Sequence, residues 1–264
     1  MQQQPRRADV RWEWIGEGWE MYSKQMGNWL LISLVVFLIS LIPIVPVYIF
    51  IFAAMGLGSN SNPQDIAQAM QRGGLNIMAT LLITVASSVI TAFAYSGYYN
   101  VVIKQLRGAQ ISIADFFGGM QHFVPIFGIT LIVSAITFIG NLFCCLGSIF
   151  QFLTLGLIMF AYPLIVDRGM GTIDALKASF DFTKQNALMF ILFGIVVHII
   201  GFIGVVVCCI GVIFTTPILF NAIGCAYRDC FMGQQMSPPD SYTPPPPPNY
   251  GGYEPPPPPP SSWQ

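Results

Sequence analysis

The chain has 264 residues, of which 54% are hydrophobic and only 9% are charged, and its mean hydropathy is +0.64. Soluble globular proteins carry about 25% charged residues, so this composition excludes an ordinary water-soluble domain and predicts a membrane protein. The formal net charge of −1 gives no electrostatic basis for binding nucleic acid.

Residues 1–28 predict an amphipathic helix in the cytoplasmic membrane interface. They contain no apolar h-region, so no secretory signal peptide is expected. Apolar side chains recur at intervals of three and four residues, which is a helical spacing, and the charged residues fall largely off this stripe. The stripe consists of Trp12, Ile15, Trp19, Tyr22, Met26 and Trp29. Such a helix either senses the membrane or docks a partner, or it only orients the bundle.

Residues 29–228 predict six transmembrane helices. A span needs about 20 apolar residues. The runs Trp29–Leu57 and Leu75–Ile103 each suit one span. Phe123–Val166 and Gln185–Tyr227 contain no charged residue, so each predicts two helices joined by a tight turn.

The basic residues support this count. With six spans, ten of the 11 lysines and arginines fall on one side, and only Arg72 falls on the other. Basic residues concentrate on cytoplasmic loops. Both termini are therefore predicted to be cytoplasmic, in a multi-pass protein of the cell (inner) membrane.

The two long runs share an internal repeat. Residues 138–150 return as residues 202–214, with eight of thirteen positions identical. Each repeat unit would be a surface helix followed by a two-helix hairpin, and the units cover roughly 10–103, 110–168 and 172–228. Parallel repeats are related by an axis along the membrane normal. The expected fold class is therefore all-α: a polytopic bundle of six transmembrane helices in three parallel hairpins, with interfacial amphipathic helices.

A second surface helix is predicted before the fifth span. Ile173, Leu176 and Phe180 form its apolar stripe. The opposite face carries charges at spacings of three and four, namely Asp174, Lys177, Asp181 and Lys184.

Polar side chains within the spans form a candidate intramembrane site. The second span carries a hydroxyl stripe that either lines a substrate path or packs neighbouring helices. His198 is the only histidine in a span, and no acidic residue lies in any span to pair with it, so a proton relay is not expected. The candidate residues are Thr84, Ser88, Thr91, Tyr95, His198 and Asn221.

Two pairs of adjacent cysteines fall at equivalent hairpin turns on the predicted outer side: Cys144 and Cys145, and Cys208 and Cys209. In an oxidising compartment, one disulfide between the pairs would join the two hairpins. One alternative is a four-thiolate metal site, although zinc-binding cysteines usually stand two to four residues apart. Another is that these cysteines are small apolar residues in a turn. No metal or other cofactor is predicted.

Residues 229–264 predict a disordered, proline-rich cytoplasmic tail. Thirteen of the 20 prolines lie beyond Ser237, including the runs Pro244–Pro248 and Pro255–Pro260. Such runs adopt polyproline II, which docks into aromatic-lined grooves. The tail is therefore either a recruiting arm for a cytoplasmic polyproline-binding protein or a solvated spacer. Membrane lipids are the other expected partners, and a homo-oligomer is compatible with the sequence.

Catalytic machinery is not expected. The two histidines, His122 and His198, lie at different membrane depths, and the chain has no P-loop or dinucleotide fingerprint. Two functions remain. The first is membrane organisation or scaffolding with the tail as a recruiting arm, and the second is transport or lipid handling along a path between the hairpin units.

Several short motifs add a family resemblance over residues 10–230. They are Gly18–Tyr22, Tyr162–Arg168, Ala175–Ser179, Asn186, Pro217 and Ala226–Arg228. With them the chain resembles the membrane domain attached to some glycerophosphodiester phosphodiesterases, and the integral-membrane proteins related to that domain. The resemblance implies about six helices in a bacterial cytoplasmic membrane. It does not imply phosphodiesterase activity, which belongs to a separate soluble domain.

Overall fold

The computed structural model describes residues 9–54, 73–142, 146–207 and 211–232, and every regular element in these ranges is helical. The helices are α1 (Glu13–Lys24), α2 (Met26–Ala54), α3 (Gly73–Leu106), α4 (Ile113–Gly118), α5 (Phe123–Leu142), α6 (Leu146–Leu157), α7 (Ala161–Arg168), α8 (Thr172–Thr183), α9 (Ala187–Val207) and α10 (Val212–Tyr227). Short 3-10 turns precede α5 and α9, and a π-helical turn follows α10. The predicted all-α class is confirmed.

Several of these helices are long and apolar enough to cross a membrane. In the described ranges three helical stretches meet this requirement, and two bent pairs raise the number to five. α1 and α2 bend by 92°, and α6 and α7 bend by 41°. α10 has only 16 residues, or about 24 Å at about 1.5 Å per residue, which is short of a hydrocarbon layer of about 30 Å. The sixth span therefore stays a prediction.

The long helices form a closed ring. Around it α2 contacts α3, α3 contacts α5, α5 contacts α6, α6 contacts α9, α9 contacts α10, and α10 returns to α2. Inside this ring α3 also contacts α7 and α10. The outer surface carries large exposed apolar side chains on every long helix, for example Leu38, Val124 and Phe202. A continuous apolar surface of this kind suits lipid rather than water.

A break between α6 and α7 was not predicted, and backbone chemistry accounts for it. Pro163, in the first turn of α7, has no N–H to donate to the preceding turn. The Ala161 N–H bonds the Ile158 carbonyl (3.0 Å) instead of the Leu157 carbonyl. That carbonyl accepts hydrogen bonds from the hydroxyls of Ser179 (3.1 Å) and Thr183 (2.8 Å) on α8. The broken helix and the surface helix are thereby joined.

The predicted apolar stripe of α1 is divided between two faces. Trp12 and Trp19 are about half exposed, at 43% and 53%, whereas Trp14, Gly18 and Tyr22 are buried against the bundle. Tyr22 belongs to both sets, and Trp29, the last member of the predicted stripe, is buried on α2. Hydropathy does not detect the inward face, because its central member is a glycine. Adding a Cβ to Gly18 would place it 2.6 Å from the Ala222 nitrogen of α10, so only glycine permits this helix crossing.

α8 shows the same division. Ile173 and Phe180 of the predicted stripe are exposed at 51% and 47%. The face against the bundle consists of Ala175, Ser179 and Thr183. Small and hydroxyl side chains allow close helix approach in membrane bundles. In both surface helices, the apolar stripe is therefore largely the outward face.

Candidate functional site

Aromatic rings from three helices fill the centre of the ring. Tyr95 of α3 lies 4.8 Å from Tyr162 of α7 and 5.1 Å from Phe220 of α10, measured between ring centroids. Tyr99, one turn further along α3, stacks on Tyr162 at 5.9 Å and meets Phe220 edge-on at 5.1 Å. Such offset and edge-to-face pairs are favourable arrangements for aromatic rings. The centre at this depth is therefore closed by packed rings.

A small cavity of about 50 Å³ lies beside these rings. Its polar lining comes from three tyrosines, His198, Gln151 and Thr154, the tyrosines being Tyr95, Tyr99 and Tyr162. A space of this size holds a few water molecules rather than a large solute. The His198 Nδ1 donates to the Gly194 carbonyl on its own helix (2.7 Å), which leaves Nε2 as the acceptor of a neutral ring.

The hydroxyl stripe of α3 serves a different contact. The Ser88 hydroxyl donates to the Thr84 carbonyl (2.7 Å) and shares a hydrogen bond with the Ser134 hydroxyl of α5 (2.8 Å). The Thr130 hydroxyl, also on α5, donates to the Ser88 carbonyl (3.2 Å). Half-buried Thr91 does not line the cavity. This part of the predicted site joins two neighbouring helices.

Asn221 occupies a third place, in the backbone contact between α10 and Gly18 of α1. It is fully buried, and within the described part of the chain neither its amide nitrogen nor its amide oxygen has a hydrogen-bond partner. The predicted intramembrane residues are thus distributed over three locations. Of the six, Tyr95 and His198 share the small cavity.

At the end of the bundle where α3, α7 and α10 terminate, ion pairs connect the helices. We call this the charged end. The Asp167 side chain is only 3% exposed. Its carboxylate accepts hydrogen bonds from the Arg107 guanidinium (2.6 Å) and the Tyr227 hydroxyl (2.7 Å). One carboxylate therefore ties together the chain after α3, the end of α7 and the end of α10.

A larger cleft of about 520 Å³ opens at the charged end, between α1, the end of α3 and the end of α10. Two glutamines hold its walls. The Gln105 amide donates to the Met21 carbonyl (2.6 Å) while its oxygen accepts from the Trp29 indole (2.7 Å). The Gln25 amide donates to the Ala109 carbonyl (3.2 Å), and its oxygen accepts from the Ile111 N–H (2.9 Å).

Four charged side chains line this cleft: Glu17, Glu20, Lys24 and Arg228. Glu17 pairs with Arg228 at 2.6 Å, and Glu20 pairs with Lys24 at 2.9 Å. The lining charges therefore sum to zero. Burial alone would lower the pKa of Arg228, but its hydrogen bonds to Glu17 and Asp229 raise that pKa above its ordinary value. Arg228 is a cation at every physiological pH.

Sequence reasoning did not select Asp167, the two glutamines or the cleft charges as a site. Their signal in the sequence was weak, because each lies in a short polar stretch next to an apolar run. Any polar residue that follows a transmembrane helix is expected in such a stretch, whether or not it belongs to a site. The predicted cysteine site, Cys144, Cys145, Cys208 and Cys209, lies outside the described residues, as does the proline-rich tail from residue 233 onward. Among the described residues, no three histidine, cysteine or acidic side chains are placed to hold a metal ion.

Comparisons with known proteins give one relationship. The chain is 26% identical over 194 residues to a protein of Mycobacterium tuberculosis (strain ATCC 25618 / H37Rv) named "Uncharacterized protein Rv2560". The alignment covers 71% of this chain and 57% of that protein, so the chain spans little more than half the length of this relative. No family model matches the chain, and no solved structure matches it. The resemblance to the membrane domain of glycerophosphodiester phosphodiesterases stays a prediction.

Proposed function

We propose that this chain is a six-span, multi-pass protein of a bacterial cytoplasmic membrane that organises the membrane or a protein assembly, with both termini in the cytoplasm. In this proposal it carries no catalytic activity, and its proline-rich segment recruits a cytoplasmic partner. The observation that carries the proposal is the aromatic centre, where Tyr95, Tyr99, Tyr162 and Phe220 pack against one another. A solute path between the hairpin units would run through that point.

The proposed architecture is three hairpin units, formed by α2 with α3, α5 with α6 and α7, and α9 with α10. The order of contacts around the ring supports it, since the two arms of each hairpin are neighbours and successive hairpins adjoin. In this arrangement α3, α7 and α10 are the inner arms. The proposal keeps the likeness to the phosphodiesterase-associated membrane domain, without the soluble enzyme.

α1 supports a role at the membrane surface. It turns by 92° from α2, so it runs along the membrane plane if α2 crosses the membrane. Its exposed Trp12 and Trp19 would then reach the headgroup layer, where tryptophan is enriched. Arg11, two residues before α1, binds Asp229 at 2.7 Å and so connects this segment to the charged end.

A tail-replacement experiment tests the recruiting arm. The full chain and a variant of equal length, with Pro244–Pro248 and Pro255–Pro260 replaced by alternating Gly and Ser, are expressed in the native host and isolated in lipid nanodiscs. We expect a cytoplasmic protein to co-purify with the full chain and to be lost from the variant, because Gly/Ser segments do not hold polyproline II. Identical sets of co-purifying proteins would contradict the recruiting function.

A second candidate function, lipid handling, is favoured by one observation: the cleft at the charged end, about 520 Å³ in volume and lined by both signs of charge. In the proposed orientation this cleft faces the cytoplasmic headgroup layer.

A further inference from the structure

We propose that the cleft between α1, α3 and α10 binds the headgroup of a zwitterionic phospholipid carrying a primary ammonium group, such as phosphatidylethanolamine. The proposal deepens the lipid-handling candidate and rests on the proposed membrane placement of α1. The site is distinct from the aromatic centre and from the small cavity beside it.

The size and the shape of the cleft suit a small polar group. Ligand sites usually occupy about 300–1,000 Å³, and this cleft has about 520 Å³. Its walls are already ordered by the hydrogen bonds of Gln25 and Gln105 to backbone groups of neighbouring segments. A ligand therefore does not have to order these walls on binding, which reduces the entropic cost of association.

The charges select the class of headgroup. Lys24 and Arg228 are donors for a phosphate, and Glu17 and Glu20 are acceptors for an ammonium group. A headgroup with only a negative charge would meet two carboxylates as well as two cations. A zwitterionic headgroup can exchange partners with the existing ion pairs. Its phosphate takes the place of a carboxylate beside Lys24 or Arg228, and its ammonium group takes the place of a cation beside Glu17 or Glu20.

The existing pairs are weak enough to exchange. Glu20 and Lys24 are 66% and 67% exposed in their side chains, and exposed pairs of this kind contribute little to stability. The Glu17 and Arg228 side chains are 29% and 40% exposed. This second pair is less exposed, but Arg228 also pairs with Asp229 at 2.8 Å and Glu17 also pairs with Arg11 at 3.4 Å, so each charge keeps a partner when the pair opens.

The position of the cleft indicates a membrane lipid as the source of the headgroup. α1 supplies Glu17, Glu20 and Lys24 to the cleft while Trp19, beside Glu20 in the sequence, is exposed on an adjacent face of the same helix. Exposed tryptophans of a surface helix lie at the level of the headgroups. The charges of the cleft are consequently held at the depth where phosphate and ammonium groups are found.

The test measures lipid retention by native mass spectrometry on the purified full chain. The probes are phosphatidylethanolamine, phosphatidylcholine and phosphatidylglycerol with identical acyl chains, and soluble glycerophosphoethanolamine. We expect phosphatidylethanolamine to be retained in preference to the other two lipids, because choline has no N–H donor and the glycerol headgroup has no cation.

Three variants localise the binding. The double substitution Glu20→Gln with Lys24→Gln removes one charged acceptor and one charged donor for the headgroup. It should weaken retention of phosphatidylethanolamine by about tenfold or more, since the loss of even one charge-assisted hydrogen bond has that effect. Ala109→Phe should reduce it by filling the cleft without changing a charge. The matched control, Asp181→Asn with Lys184→Gln, removes a pair at the end of α8 that is 63% and 53% exposed and lies outside the cleft, and should change nothing.

Equal retention of the three lipids would overturn the proposal, and so would equal effects of the cleft and control variants. Binding of glycerophosphoethanolamine without retention of the lipid would overturn the choice of a membrane lipid. None of these results depends on membrane orientation or on the tail, so failure here is distinguishable from failure of the proposed organising function.

Discussion

Substitution of Asp167 is the sharpest test of the charged end, because one buried carboxylate holds three helix ends together. Asp167→Leu keeps the branching of the side chain but removes both of its acceptor oxygens, whereas Asn would keep an amide that can donate to the Tyr227 oxygen. Both Arg107 and Tyr227 then lose their partner. Arg107 is 59% exposed in its side chain and can be hydrated by water. The Tyr227 O–H is left without an acceptor, and this residue is fully buried.

The magnitude follows from these two exposures. An unpaired buried hydroxyl costs about 1–3 kcal/mol, and the loss of the pair with the exposed Arg107 costs about 0–1 kcal/mol. We therefore expect Asp167→Leu to lower the free energy of unfolding by roughly 1–4 kcal/mol. The exposed pair of Asp181 and Lys184 provides the control, and Asp181→Leu should cost no more than about 0.5 kcal/mol.

The assay is a denaturant titration of the purified protein in mixed micelles, followed by tryptophan fluorescence. A double-mutant cycle with Tyr227→Phe isolates the hydroxyl. In the Tyr227→Phe background, Asp167→Leu should cost at most about 1 kcal/mol, because no hydroxyl remains to lose its acceptor. If Asp167→Leu costs the same with and without the Tyr227 hydroxyl, or no more than Asp181→Leu, the assignment of Asp167 as the link between the three ends is wrong.

Two further predictions concern α1 and the membrane topology. Gly18→Ala should destabilise the chain by about 1–3 kcal/mol through overpacking, since its Cβ would lie 2.6 Å from the Ala222 nitrogen. At Gly16 a Cβ would meet nothing within 4 Å. Gly16→Ala should therefore stabilise the chain by up to about 1 kcal/mol in the same titration. Equal effects of these two substitutions would refute the close crossing of α1 and α10. Six spans with cytoplasmic termini place Ser61 outside the cytoplasm and Asn186 inside it. Alkaline phosphatase fused after Ser61 should therefore be active, and the same enzyme fused after Asn186 should be inactive. The reverse pattern, or activity of both fusions, would contradict the proposed orientation.

The sequence predicted the helical class and the positions of the long helices because these depend on runs of apolar residues. α3 and α9 begin within two residues of the predicted starts at Leu75 and Gln185. The interruption after α6 escaped prediction, because an apolar run gives no indication of a local change in hydrogen bonding. Pro163 was the available signal, and the hydroxyls of Ser179 and Thr183 that satisfy the Leu157 carbonyl come from a helix more than twenty residues away.

The candidate site was less predictable, since helical spacing places residues on a face without saying what that face meets. Ser88 and Tyr95 belong to one polar stripe of α3. In the structure Ser88 bonds α5, whereas Tyr95 reaches the aromatic centre. Asn221 lies under α1, a contact that depends on Gly18 and that hydropathy cannot detect.

The distribution of polar contacts bears on where this protein acts. At the centre, the described residues offer packed rings and a cavity of about 50 Å³ that holds a few waters. At the charged end they offer a cleft ten times larger, ion pairs with exposed partners, and α1 fixed across α10. Binding of a polar ligand requires groups that can exchange partners, and the exposed pairs provide them whereas packed rings do not. The charged end is therefore the part of this molecule where a ligand or a partner protein is best accommodated, and both proposals place their activity on that side of the membrane.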